Sequence, residues 1–243
     1  MELLTFNKIK MEENKETSKQ KIDQKPIVSA ILIAGVIIAG AILLKGSSAP
    51  KQAYLDADST DNKAQVFGDI RPISVEDHII GNPGAKVVIV EYSDLECPFC
   101  KVFHNTMHQI VENSNGNVAW VFSHYPIPQL HEKAFHEAEA TECAFEQGGN
   151  DAFWKYTDRL FEVTPSNDGL EVSELQKIAA YIGLDVSTFN NCLNSGKFAE
   201  KIEADINDGL KVGVDGTPAS FILVDGKIVD NIAGAEKFLS VQQ

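Results

Sequence analysis

Cys97 and Cys100 stand two residues apart in the run Cys97-Pro98-Phe99-Cys100. A pair at this spacing closes a disulfide when it starts a helix, because positions three apart return to one helix face. A cysteine at a helix N-terminus also meets unpaired backbone N–H groups and the positive end of the helix dipole. Both favour thiolate over thiol. The spacing therefore predicts redox chemistry, with Cys97 as an exposed nucleophile and Cys100 as the resolving thiol. Pro98 suits the first helical turn, where its missing N–H costs nothing. Zinc is the rival reading, but it usually takes four ligands. Only His104 offers a close third, so no metal is expected here. Haem attachment needs a histidine right after the second cysteine, and position 101 is Lys.

The elements around the pair read as an α/β unit. Val87 to Tyr92 is a β-branched run and predicts a buried strand. Val102, Phe103, Met107, Ile110 and Val111 recur at helical spacing, so a helix starts at Cys97 and ends near Asn113 to Gly116. Val118 to Phe122 predicts the next strand, completing β–α–β. From about 129 to 212 the pattern is helical, with segments near 129–147, 151–163, 171–182, 186–194 and 197–212. Ala219 to Val224 and Lys227 to Ile232 flank Asp225-Gly226, a hairpin signal. A short helix is expected over Ala235 to Val241.

The chain has 243 residues, 44% apolar and 23% charged, which is ordinary for a folded domain and excludes a wholly disordered or collagen-like chain. The 21 Lys+Arg against 35 Asp+Glu give a net charge of −14 and disfavour a nucleic-acid-binding face. Ile27 to Leu44 holds no charged residue. Its 18 residues span about 27 Å as a helix, close to a bilayer's hydrocarbon core. It reads as a transmembrane helix, with a cleaved signal peptide as the rival. Six lysines precede it, which by the positive-inside rule places residues 1–26 in the cytoplasm as a tail and the acidic bulk outside. Residues 45–72 read as a flexible polar linker and 73–243 as the folded domain.

Four segments, in order, resemble the DsbA-like thiol–disulfide oxidoreductases: Gly81-Asn-Pro-Gly-Ala-Lys-Val-Val-Ile-Val, Glu91-Tyr-Ser-Asp-Leu-Glu-Cys-Pro-Phe-Cys, Phe153-Trp-Lys-Tyr-Thr-Asp-Arg-Leu-Phe and Gly216-Thr-Pro-Ala-Ser-Phe. The resemblance runs from about Ile73 to Leu239. It implies a thioredoxin fold with an inserted all-helical subdomain. It implies that Pro218 is a cis-proline facing the cysteines, and that the Thr217 backbone pairs with an extended substrate peptide. It implies that Glu91 is a buried acid able to exchange a proton with Cys100; a solvent-facing strand glutamate is the alternative. Pro98 and Phe99 modulate the pair. The strong oxidants of this family carry Pro-His there, and Phe99 cannot stabilise a thiolate as histidine does. Asp94 and Glu96 are modulators at most.

Cys143 and Cys192 lie 49 positions apart in the helical stretch. Outside the cytoplasm the simplest reading is a structural disulfide; free thiols or a second redox pair are the alternatives. His104 and His108 read as ordinary, partly exposed histidines, and Trp120 and Trp154 as core. The expected activity is disulfide formation in exported proteins, by a membrane-anchored monomer with no cofactor beyond its own cysteine pair. A quinone-linked membrane partner of the DsbB or VKOR type would re-oxidise it. The alternatives are a reductase or isomerase, and a non-redox peptide-binding chaperone.

Overall fold

The computed structural model describes residues 69–237. The expected tail (1–26), transmembrane helix (27–44) and linker up to residue 68, together with residues 238–243, lie outside the described residues. Among the described residues no helix is long and apolar enough to cross a membrane.

Five strands form one sheet in the order β1-β3-β2-β4-β5. They are β1 (His78–Gly81), β2 (Val87–Ser93), β3 (Val118–His124), β4 (Ala219–Val224) and β5 (Lys227–Ala233). β2 and β3 run parallel, joined by helix α1 (Pro98–Asn113). The other neighbours pair antiparallel. Between β3 and β4 comes a helical block: α2 (Ala134–Val163), α3 (Ser173–Tyr181), α4 (Val186–Ser195) and α5 (Ala199–Val212). This is a mixed α/β thioredoxin-like fold with a helical insertion.

The local chemistry explains most of these elements. β2 is central and covered on both faces, so its VVIVEYS run is nearly continuous in apolar residues. Its side chains alternate between two cores. Ile89 joins the larger one, with Trp120, Phe122, Cys97 and Cys100, while Val90 and Tyr92 join the smaller one with Tyr125 and Phe221. The β4–β5 hairpin turns on Asp225 (φ 52°) and Gly226 (φ 75°), the paired positive φ values of a two-residue type I′ turn. α5 lies close under the sheet because Gly209 leaves room: a Cβ there would sit 2.9 Å from the rings of Tyr125 and Tyr92. Tyr92 Oη donates to Asp208 Oδ2 at 2.7 Å on the same helix.

Several elements differ from expectation. β1 is an additional strand, too short at four residues to show a hydrophobic period. The first insertion helix begins at Ala134 rather than 129; Ile127 closes turns with the N–H groups of Leu130 and His131 instead. The segments expected at 129–147 and 151–163 belong to one element bent at Gly149 (φ 65°, ψ −159°), a conformation that glycine adopts without a Cβ clash. The folded part begins before Ile73: Arg71 pairs with Asp77 and with Asp205 of α5, and its N–H donates to Asp208 Oδ1 at 3.2 Å. Ala235 to Lys237 are not helical; the rest of the expected last helix lies outside the described residues.

A buried polar cluster ties the sheet to the insertion. Glu142 Oε1 lies 2.7 Å from His78 Nε2 of β1, 3.0 Å from His124 Nε2 of β3 and 2.9 Å from Lys201 Nζ of α5. Burial opposes ionisation of Glu142, but the two imidazoles hold its carboxyl well below the usual range.

Candidate active site

Cys97 is the N-cap of α1, with extended backbone (φ −76°, ψ 121°), and Pro98 follows at the start of the helix. The neighbouring Cys100 thiol, the backbone N–H groups of Cys100 and Phe99, and Thr217 all favour the Cys97 thiolate. Cys100 has the largest effect. Together these overcome burial and bring the Cys97 thiol down from about 9.0 to about 6. Cys100 goes the other way. It is fully buried, and burial together with the neighbouring Cys97 charge and Glu91 drives its thiol well up. The pair thus divides into one group that ionises near neutrality and one that holds its proton.

Cys97 is less open than a free nucleophile at a helix tip: only 5% of its surface is exposed. The covering group is the loop before β4. Its Thr217–Pro218 peptide is cis, and the Thr217 carbonyl oxygen lies 3.5 Å from Cys97 Sγ. Beside this loop runs an open groove of about 500 Å³, lined by Val212 to Phe221 and, along the end of β5 and just past it, Asn231 to Gly234. Phe99, by contrast, projects outward and is 64% exposed.

Glu91 lies beneath the pair. On β2 it shares the face of Ile89, opposite Phe122 on one side and Ser220 on the other. It is completely buried, and neither carboxylate oxygen makes a well-formed hydrogen bond. Burial lifts its carboxyl to about 8; Ser93 and Trp120 beside it offset this only in part. The solvent-facing alternative for Glu91 is therefore incorrect. A carboxyl lifted from 4.5 to about 8 binds its proton more tightly in the folded state, so it favours folding at low pH and loses that contribution as pH rises through this window. At pH 7 the deficit is roughly 3 kcal/mol. Glu91→Gln should remove it. Urea unfolding at pH 5 and pH 8 should show the variant's stability falling far less with pH than that of the unaltered protein, and equal slopes would refute the assignment.

Asp94 has a larger structural part than the sequence suggested. It is 1% exposed and accepts from the backbone N–H groups of Glu96 at 2.9 Å and Ile127 at 2.8 Å and from His131 Nδ1 at 3.0 Å. Its own N–H points at Cys100 Sγ, 3.5 Å away. Glu96 is also buried. Its carbonyl accepts from Asn167 N–H at 2.8 Å, in a turn where Ser166, Asn167 and Asp168 all have positive φ. Burial and the adjacent Glu96 push the Glu137 carboxyl well up. His131, Glu137 and this turn were not legible as neighbours of the cysteines, because they come from 31 to 71 residues further along the chain.

Cys143 of α2 and Cys192 of α4 form a disulfide, with Cα atoms 5.8 Å apart. His104 is not partly exposed: it is 4% exposed, packs against Trp120 and bonds Asp158. Both tryptophans are core.

Known proteins share this fold. The family profile described as Thioredoxin matches residues 74–241. Among solved structures, DsbA2 of Pseudomonas aeruginosa is 29% identical with a TM-score of 0.59, covering 70% of this chain and 93% of its own. BdbD of Bacillus subtilis, 24% identical, superposes with a TM-score of 0.61 over 73% of this chain and 94% of its own. Curated relatives include the Na(+)/H(+) antiporter NhaA 1 of Mycolicibacterium gilvum, 32% identical over 156 residues, or 63% of this chain. The match spans about a quarter of that relative's length. With the profile matched over more than two thirds of its length and the DsbA-type helical block set between β3 and β4, the chain belongs to the thioredoxin family.

Proposed function

We propose that this chain is an extracytoplasmic thiol–disulfide oxidoreductase that forms disulfides in exported proteins. The observation that carries the reading is the opposed pair, a Cys97 thiol brought down to about 6 above a fully buried Cys100 and a protonated Glu91. A substrate thiolate attacks Cys97 Sγ of the oxidised pair, the Cys97–Cys100 bond breaks and a mixed disulfide forms. Cys100 leaves with the two electrons of that bond and takes a proton, for which the Glu91 carboxyl is the donor. A second substrate thiolate attacks the substrate sulfur and expels Cys97 as a stable thiolate. The substrate has lost two electrons and two protons, and the cysteine pair is reduced. The groove beside Thr217 and Pro218 suits an extended peptide.

Two features support this compartment. The Cys143–Cys192 bridge belongs in an oxidising environment. Ile27 to Leu44 reads as a single-pass anchor with its N-terminal side in the cytoplasm. Re-oxidation then falls to a quinone-linked membrane partner of the DsbB or VKOR type. Ion transport is not carried over from the antiporter relatives, of which only about a quarter is matched.

A second reading, a reductase, is favoured by Phe99, which gives the thiolate no charge partner. The reduction potential decides. A depressed Cys97 pKa stabilises the reduced pair and so raises the potential, but about 6 is nearer the roughly 7 of thioredoxin than the roughly 3.5 of DsbA. Equilibration in glutathione buffers should place the pair above thioredoxin's roughly −270 mV and below the roughly −120 mV of DsbA. A value at or below roughly −270 mV would sink disulfide formation and install the reductase.

A further inference from the structure

Away from the cysteines, three side chains converge on one point at the protein surface. His104 and His108 lie one turn apart on α1, and Asp158 reaches them from the second half of α2. Asp158 Oδ1 is 2.7 Å from His104 Nε2 and 2.9 Å from His108 Nε2. The two Nε2 atoms are 3.2 Å apart. Two histidines at i and i+4 with a facing carboxylate are a donor set for borderline divalent cations.

Hydrogen bonds alone satisfy this arrangement poorly. If both rings carry a proton on Nε2, the two N–H groups crowd together above one oxygen. If one does not, its lone pair faces the carboxylate. A cation at the centre turns all three lone pairs inward. Tetrahedral zinc with bonds of 2.0–2.1 Å holds its donors about 3.3 Å apart, so the three separations need to open by only about 0.1 to 0.6 Å. The lysine lining the cleft does not compete: Lys101 Nζ bonds the Thr164 carbonyl at 2.6 Å. An open cleft of about 350 Å³, with Asn105 and Glu162 on its walls, gives solvent access. The other convergent set, His78, His124 and Glu142, differs in both respects. It is buried, and the Lys201 ammonium already lies 2.9 Å from Glu142 Oε1.

We propose that His104 Nε2, His108 Nε2 and Asp158 Oδ1 bind one borderline divalent transition cation of the zinc or copper(II) class, with a fourth position open to water. His104 Nδ1 is buried without an acceptor, so this ligand lacks the outer hydrogen bond that strengthens tight sites. The site is accordingly an exchangeable one.

The test uses the full chain carrying Cys97→Ser and Cys100→Ser, so that no active-site thiolate competes for metal. Zinc titration by calorimetry should show one equivalent bound at this site. Copper(II) should quench the tryptophan emission, since the chain's two tryptophans both flank the ligands: the Trp120 ring lies 5.2 Å and 5.4 Å from the two imidazoles, and Trp154 lies 6.2 Å and 6.1 Å away. His108→Ala and Asp158→Asn, both at partly exposed side chains, should each weaken zinc binding more than about tenfold and abolish the quenching, with the circular dichroism unchanged. Absence of zinc binding, or binding and quenching that persist in both variants, overturns the proposal.

Discussion

Cys97→Ser reduces thiol–disulfide exchange to the uncatalysed background, whereas Cys100→Ser leaves a protein that captures substrate and does not release it. The asymmetry follows from the two environments. Cys97 is the group that ionises near pH 6, and its Sγ meets the Thr217 carbonyl at the edge of the groove. At pH 7 about nine-tenths of it is thiolate, against about 1% for a thiol at its ordinary value near 9. A serine hydroxyl supplies no comparable nucleophile and forms no mixed disulfide. Cys100 has no exposed surface, so a substrate sulfur cannot reach it directly. In disulfide formation it is the leaving group; in the reverse direction, after the Cys97 thiolate has opened a disulfide of an oxidised substrate, it attacks the mixed disulfide at Cys97 from within. With Cys100→Ser that attack is missing, so an oxidised substrate captured by Cys97 stays joined unless a substrate thiol displaces it. Oxidation of a reduced, unfolded test protein measures the first effect; a reducer-sensitive adduct on non-reducing gels measures the second. A Cys97→Ser protein that kept its rate, or a Cys100→Ser protein that formed no adduct, would dismantle the assigned roles.

How much of this the sequence revealed depends on range. The cysteine pair, its helix, the two parallel strands and the hairpin are local signals, and each is set by residues within one element or one turn. The resemblance to DsbA-like proteins supplied the order of the larger parts. What was hidden is what depends on packing. The face of β2 that Glu91 occupies is decided by alternation against Trp120 and Phe122 on a neighbouring strand. The weight carried by Asp94 comes from Ile127 and His131, which arrive from the loop after β3. His104 looked partly exposed because its helix places polar residues around it. Burial comes from Trp120 and Phe161, which meet it only in the folded chain. β1 is recognisable only by its pairing with β3.

Removing the Cys143–Cys192 bridge should cost roughly 4 kcal/mol, or about a thousandfold in the ratio of folded to unfolded protein. The bridge closes a loop spanning 49 positions, and the chain entropy of such a loop in the unfolded state sets that scale. Alanine is the better replacement for both residues. Cys143 and Cys192 are 1% and 7% exposed among apolar neighbours of the helical block, where serine would add a buried hydroxyl. The lost methyl-sized sulfurs add a small packing deficit to the entropy. Urea unfolding of Cys143→Ala with Cys192→Ala, with the Cys97–Cys100 pair held in one redox state, measures the shift. Position separates this pair from the exchanging one: Cys97 starts a helix and meets the Thr217 carbonyl beside the groove, whereas Cys143 and Cys192 join two helices within the insertion. At a glutathione poise that fully reduces Cys97–Cys100, thiol counting should find two free thiols per chain and not four. Four would mean that the second pair exchanges too. A midpoint unchanged by the double substitution would mean that the bridge rests on a block already held by Phe153, Tyr156 and Phe189, and that its stabilising part is small.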